Sequence, residues 1–319
     1  MKISVLMSVY NTKEEYLREA VESILEQSFR EFEFIIINDG SDQATTHILE
    51  SYTDDRIRLI HNHSNMGLTK SLNIALQAAN GKYIARMDAD DVSYKQRLQK
   101  QYGYMEKYQD IDILGSWCQI GDIVGKSEGT IPNQWRRVRM LFGNHGIVHS
   151  TAFIRRDFLE KNHLRYDEKM KKAQDYKLWS DCLKKGAEIR VFPEALISYR
   201  VHDGQISSTQ GGEQSYFVRC IREELIQEIY PEIRRTELEQ FIDASKEILS
   251  SEEVKNMIRN IERGNIKTKQ YDTRILHYEL LYYFRKRVGT FFLRTPGYML
   301  FRIKRNLLKK DCFISKCRI

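Results

Sequence analysis

Proline is scarce in this chain, four among 319 residues, and no apolar run reaches the length of a bilayer crossing. With 30% of residues charged, a polytopic membrane protein is excluded. The five cysteines, at 118, 182, 220, 312 and 317, are odd in number and have neither zinc-ligand spacing nor an even disulfide framework. A reducing cytosol is therefore the expected setting. Internal repeats and low-complexity tracts are missing too. So is a glycine-rich phosphate loop after the first apolar run, where Tyr10-Asn11-Thr12-Lys13 stands instead. That counts against a dehydrogenase or a nucleotidyltransferase.

What is present is an alternation of short apolar runs and helical patterns. Ile3 to Tyr10 has strand length, lacks a signal cleavage site and reads as a buried strand. Thr12 and Glu15 have capping-box spacing ahead of Leu17, Ala20, Val21, Ile24 and Leu25, which share one helical face. Phe34-Ile35-Ile36-Ile37 reads as a second buried strand that ends at Asn38-Asp39-Gly40-Ser41. A helix around Ile48 and Leu49, a strand at 56–60 and a helix through Leu68, Leu72, Ala75, Leu76 and Ala79 lead to a fourth strand at Tyr83. This pattern predicts an α/β fold with right-handed crossovers and a largely parallel sheet, with ligands beyond the strand carboxyl ends. Asn11, Asp39 and Asp88 all belong to that edge.

The fourth strand ends in Asp88-Ala89-Asp90-Asp91, three carboxylates within four positions. Their repulsion is tolerable only at an open end, where water or a cation offsets it. Hard oxygen ligands suit Mg²⁺ or Mn²⁺, and an ion held by one or two protein carboxylates normally takes a phosphate as well.

The segments 4–11, Asn38-Asp39-Gly40-Ser41-Asp42, Asn65-Met66-Gly67 and Asp88-Ala89-Asp90-Asp91 resemble, in order and spacing, the nucleotide-binding half of glycosyltransferase family 2. The resemblance implies a GT-A fold, a nucleoside-diphosphate sugar donor, most often a UDP-sugar, a divalent metal and inversion at the anomeric carbon. Carried over by position, it puts Val9, Tyr10, Asn11, Asn65, Gly67 and Ala89 around the donor, Asp39 at its base, Asp88 near its ribose and Asp90 on the metal. Asp91 is read either as a cap of the following helix or as a contact behind the metal. Leu72 stands where the family often has Arg, so Lys70 in the preceding turn is read either as a substitute contact to the diphosphate or, in preference, as a solvated surface residue.

In the second half, 146–155 reads as another strand. Ala173-Gln174-Asp175-Tyr176-Lys177-Leu178-Trp179 matches the family segment that carries the general base, which assigns that role to Asp175, with an ordinary helix cap as the alternative. A base is needed because a sugar hydroxyl is a poor nucleophile at neutral pH. Ser198-Tyr199-Arg200-Val201-His202 resembles the family's closing Tyr-Arg-x-His segment. There His202 would complete the metal shell or contact the diphosphate, and Arg200 would pair with a phosphate oxygen. His149 has weaker support and is assigned to the acceptor pocket or the core.

These readings make 1–207 the catalytic domain, with a nucleotide-sugar half at 1–91 and an acceptor half at 92–207. A helical region at 215–319 follows a boundary near Asp203 to Gln214. From Arg285 to Ile319 eleven basic residues face one acid, a local net of +10 that leaves the rest of the chain at −3. Aromatic and aliphatic residues are interleaved there, a composition suited to an anionic membrane surface. It suits a basic helix packed on the enzyme less well and nucleic acid least, so nucleic acid is not an expected partner. The expectation is an inverting, metal-dependent hexosyltransferase at the inner face of the cell membrane, acting on a saccharide acceptor that a lipid could anchor there. A bacterial lipopolysaccharide or capsule would be the product by resemblance. A non-catalytic nucleotide-sugar-binding protein of the same fold would share every motif but would not need Asp175. Nothing in the sequence sets an oligomeric state.

Overall fold

The structure, a computed structural model, describes residues 1–125, 131–143, 146–202, 211–242 and 250–284. The described residues fall into two compact units, Met1–Gly129 with Gly146–Phe217, and Thr130–His145 with Val218–Ile319.

In the first unit, β1 (Ile3–Val9), β2 (Phe32–Asn38), β3 (Ile57–His61) and β4 (Tyr83–Met87) lie side by side in the order β3-β2-β1-β4. All three pairings are parallel, with Val9 opposite Asn38 and Met7 opposite Met87. The connecting helices are α1 (Glu14–Leu25), α2 (Gln43–Glu50) and α3 (Leu68–Ala78). Continuous apolar runs made β1 and β2 central strands, because a parallel sheet is covered on both faces. Ile3, Val5, Met7 and Val9 accordingly share one buried core with Leu17, Val21, Ile24, Phe34 and Ile36.

Beyond β4 the sheet becomes mixed. The chain forms β5 (Val92–Ser93), α4 (Arg97–Lys107), β6 (Ile113–Ile120), β7 (Ile123–Gly125) and α5 (Asn133–Arg139), the last of which belongs to the second unit. Then come β8 (Phe153–Arg155), α6 (Arg156–Lys161), α7 (Gln174–Lys184) and β9 (Ile189–Tyr199). β8 is antiparallel to both β4 and β6, whereas β9 runs parallel to β6 and antiparallel to β5. Pairing Val92 with Ser198 sets the end of β9 beside the turn that leaves β4.

Two local expectations fail. The strand expected over 146–155 is extended only at Phe153–Arg155, while His149–Thr151 forms one turn of 3₁₀ helix. The Thr151 N–H and hydroxyl both donate to the Val148 carbonyl, at 3.0 and 2.7 Å, which bends the chain out of the sheet. The Thr12–Glu15 capping box does not form either, because α1 starts at Glu14 behind Lys13, without a side-chain cap. Asn11 is left-handed at φ 47°; its N–H donates to the Ser41 hydroxyl, and its side-chain carbonyl accepts from the Asp42 N–H. The chain leaving β1 is thus committed to the loop after β2 before the helix begins.

The second unit contains α8 (Gly211–Ile229) from Val218 onward, α9 (Arg235–Ile242), α10 (Ser251–Thr268) and α11 (Thr273–Phe284). The expected apolar faces are buried at Ile221, Leu225, Ile226, Ile229, Leu238, Phe241 and Ile242. Leu249 and the basic segment 285–319 lie outside the described residues. Arg222 donates to the carbonyls of Leu141 and Ile242 and to the Tyr283 hydroxyl, and a buried Arg139–Glu279 pair joins α5 to α11. These contacts tie 131–143 to the C-terminal helices. Among the described residues no helix is long and apolar enough to cross a membrane.

Candidate active site

The acid turn rests on two buried cations. Arg86, the one charged residue of β4, is buried and ion-paired with Asp88 just beyond the strand. Arg97 of α4 is also fully buried and donates to the Arg86 carbonyl at 2.7 Å and to the Gln101 side-chain carbonyl at 3.0 Å. Burial alone would depress the Arg86 guanidinium, but Asp88, Tyr166 and Asp91 hold it up. Burial lowers Arg97 to about 9, against the pull of Asp91 and Asp88. Loss of hydration raises the Asp88 carboxyl, with Asp90 adding to the rise and Arg86 opposing it.

Asp91 is wholly buried, and burial with the nearby Asp88 charge raises its carboxyl to about 7. It caps no helix, because β5 follows it and α4 starts at Arg97 behind Gln96. Its carboxylate instead accepts the Arg200 N–H at 3.0 Å. The Arg200 side chain reaches back over the turn, where Nε donates to the Asp90 carbonyl at 2.9 Å and Nη2 pairs with Glu19 of α1. Two residues on, His202 Nε2 lies 3.0 Å from Asp90 Oδ2. The two side chains remain 19% and 26% exposed.

These residues fit a divalent cation. Cis ligands on an octahedral ion with bonds of about 2.1 Å stand about 3.0 Å apart, the separation seen between His202 and Asp90. One imidazole with one carboxylate is a donor set suited to Mn²⁺. Among the described residues no group of three or more His, Cys, Asp or Glu could hold a metal alone. The remaining positions would fall to water and a phosphate-bearing ligand.

A second bonded group forms at the ends of β1 and β2. The Val9 side chain is buried, and its carbonyl accepts from the Asp39 N–H at 2.9 Å and from the Ser41 hydroxyl. Asp39, 2% exposed, accepts from Asn62 Nδ2 at 2.7 Å and from the N–H groups of Met66 and Gly67, each at 2.9 Å. Asn65 receives the Gly67 N–H on its side-chain carbonyl. Gly67, at φ 87°, caps α3 in a conformation that other residues rarely adopt. Tyr10 is half exposed at the rim, Ala89 is buried in the acid turn, and Lys70 stands exposed on the first turn of α3.

Asp175 lies in the first turn of α7, behind Ala173 at φ 55°, and is therefore not the cap. Its place is fixed by Leu178 and Trp179, both buried, and by the loop before the helix. Asn73 of α3 clamps that loop: its side chain donates to the Tyr166 carbonyl at 2.9 Å and accepts the Tyr166 N–H at 3.0 Å. Thr69 donates to the Met170 carbonyl at 2.8 Å. The buried Tyr166 hydroxyl is 2.8 Å from His149 Nε2. Burial pushes that phenol up, Arg86 opposes, and the charges of Asp175 and Asp88 both reinforce the rise. One buried side chain therefore feels the base candidate and the ribose candidate together. Loss of hydration and the Arg86 charge push the His149 imidazole well below its ordinary value.

Sequence reasoning missed Arg97, Tyr166, Asn73 and Asn62. A basic residue inside an otherwise apolar strand, Arg86, was the available signal for a buried counter-charge; the other four looked like ordinary surface or loop positions.

Residues 4–162 match the family described as Glycosyl transferase family 2. An uncharacterized glycosyltransferase of Haemophilus influenzae is 36% identical over 240 residues, covering 70% of this chain and 73% of that one. The O-antigen biosynthesis glycosyltransferase WbnJ of Escherichia coli is 32% identical over 67% of this chain and 84% of its own. Among solved structures, S. aureus TarS 1-349 in complex with UDP-GlcNAc superposes with a TM-score of 0.62 at 18% identity, covering 91% of this chain and 93% of that fragment. The chain spans about half of the longer TarS chain, 53%. The shared architecture is the GT-A fold.

Proposed function

The chain belongs to glycosyltransferase family 2, and on that premise we propose that it moves a hexose or N-acetylhexosamine from a UDP-sugar to a saccharide hydroxyl, with inversion. WbnJ, named for O-antigen biosynthesis, supports a product in bacterial surface polysaccharide, and the UDP-GlcNAc complex of TarS supports the donor class. The observation that carries the reading is the Asp90–His202 pair beside the Arg86-backed Asp88 at the carboxyl edge of the sheet.

In this reading Asp39 and the loop it pins receive the base, with Tyr10 and Asn11 at the rim and Asp88 on the ribose hydroxyls. Asp90 and His202 would hold Mn²⁺ or Mg²⁺, which when bound neutralises charge growing on the leaving diphosphate. Arg200 shifts part of its guanidinium from Glu19 toward a phosphate oxygen. Asp175 takes the acceptor hydroxyl proton as that oxygen bonds to the anomeric carbon. The carbon–oxygen bond to the diphosphate breaks, and its electron pair leaves with the nucleoside diphosphate. Positioning and charge neutralisation supply the rate, without a covalent intermediate. The basic, aromatic segment 285–319 supports attachment to the inner membrane face, where a lipid-linked acceptor would be met.

The test is a nucleotide-sugar screen with Mn²⁺, read by thermal stabilisation and by transfer, then repeated with chelator. Asp175→Asn should abolish transfer with the best donor and leave its binding intact. Full transfer by that variant removes the proposed base.

A further inference from the structure

β9 ends at Tyr199, so Arg200 and His202 lie on chain that has already left the sheet. Holding such a segment costs conformational entropy that some contact must offset. Besides the acid turn, α1 supplies contacts to both residues. The Arg200 guanidinium sits 4.2 Å from the centroid of the Tyr16 ring, and the His202 ring lies 5.2 Å from it, tilted by 40°. Lys13 completes the surroundings at 5.5 Å. Glu19, three residues beyond Tyr16 and so on the same helical face, forms the ion pair with Arg200. A tyrosine face attracts a guanidinium and packs equally well against an imidazole, so one ring serves both partners.

Resting on the reading of Asp90 and His202 as the metal pair, we propose that Tyr16 and Glu19 form a positioning platform that sets His202 against Asp90 and holds Arg200 over the turn. The ring acts on His202 directly, and Glu19 acts through Arg200, whose N–H and Nε are fixed on Asp91 and Asp90. Neither α1 residue touches the reacting atoms. Their effect is on how tightly the cation is held.

The experiment is a Mn²⁺ titration of the full-chain protein, with UDP as the probe ligand, followed by electron paramagnetic resonance. Tyr16→Leu, which removes the aromatic face, should weaken Mn²⁺ about tenfold, and Tyr16→Phe should restore it to within about twofold. Glu19→Gln, at an exposed position, should weaken it roughly threefold and provides the test if Tyr16→Leu folds poorly. In metal-free protein, the Arg200 amide hydrogen should exchange faster in Tyr16→Leu than in wild type. Wild-type Mn²⁺ affinity in both Tyr16→Leu and Glu19→Gln, alongside weakened binding in His202→Ala, overturns the platform and leaves the metal pair standing. Unweakened binding in His202→Ala instead removes the metal pair, and unchanged Arg200 exchange then removes the platform as well.

Discussion

Replacing Asp39 by Asn separates its two roles, because the structure gives the carboxylate a structural task before any nucleotide arrives. Oδ1 accepts from Asn62 and the Met66 N–H, and Oδ2 accepts from the Gly67 N–H. An amide in the same place keeps one oxygen, so an NH₂ must face either Gly67 or the Met66–Asn62 pair. Hydrogen bonds to a charged group contribute about 1.5–3 kcal/mol each, and an unmatched buried donor costs about 1–3 kcal/mol. Losing one such bond, with some relaxation of the loop, gives roughly 2–4 kcal/mol. In a domain of this size that lowers Tm by roughly 5–12 °C. The assay is a thermal melt of nucleotide-free protein, with hydrogen exchange read at Met66 and Gly67. A loss below about 0.5 kcal/mol with unchanged exchange would refute the assignment and leave Asp39 as a nucleotide contact only.

Asp90→Ala should abolish the part of UDP binding that Mn²⁺ promotes, leaving the chelator-insensitive part, as calorimetry with and without chelator would show. Gly40 is at φ 68°, and a Cβ there would overlap the backbone of Ser64 and Asn65. Gly40→Ala should therefore cost at least about 2 kcal/mol by thermal melt and weaken UDP binding, since the displaced loop is the one Asp39 pins. Arg56, through a hydrogen bond and its charge, lowers the Asp54 carboxyl from 3.8 to about 2. The folded value is depressed, so the stabilisation is present above pH ~4 and is lost as pH falls toward 2. After solvent screening it is about 1 kcal/mol, so Asp54→Asn should melt lower than wild type at pH 6, with the gap closing as pH falls through about 2.

The parallel half of the sheet was legible because each strand there is a local apolar run and each crossover a local helix. The edge that holds Asn11, Asp39 and Asp88 followed from that alternation alone. The mixed half was not legible: β8 pairs across to β4 and β6, and β9 to β6 and β5, through partners far apart in sequence. The Arg200–Asp91 bond spans 109 residues, and no period or cap signal announces it. Asp90 and His202 were paired only through the family motif, and their 3.0 Å approach needed the β5–β9 register. Asp91 illustrates the limit in the other direction: a carboxylate before a helical pattern looks like a cap, but a two-residue strand intervenes and turns it inward. Tertiary contact, rather than local preference, also decided the start of α1 at Glu14, once Asn11 was bonded to Ser41 and Asp42.

The central claim is that one cavity holds both the cation pair and the base. A crystal structure of the protein with UDP and Mn²⁺ tests it most directly, through the anomalous signal of the metal. The account predicts the Mn²⁺ peak between Asp90 Oδ2 and His202 Nε2, the diphosphate bound to it, and the Asp175 carboxylate opening onto the same space with room for one hexose. A metal peak away from that pair, or Asp175 facing a separate cavity, would contradict it.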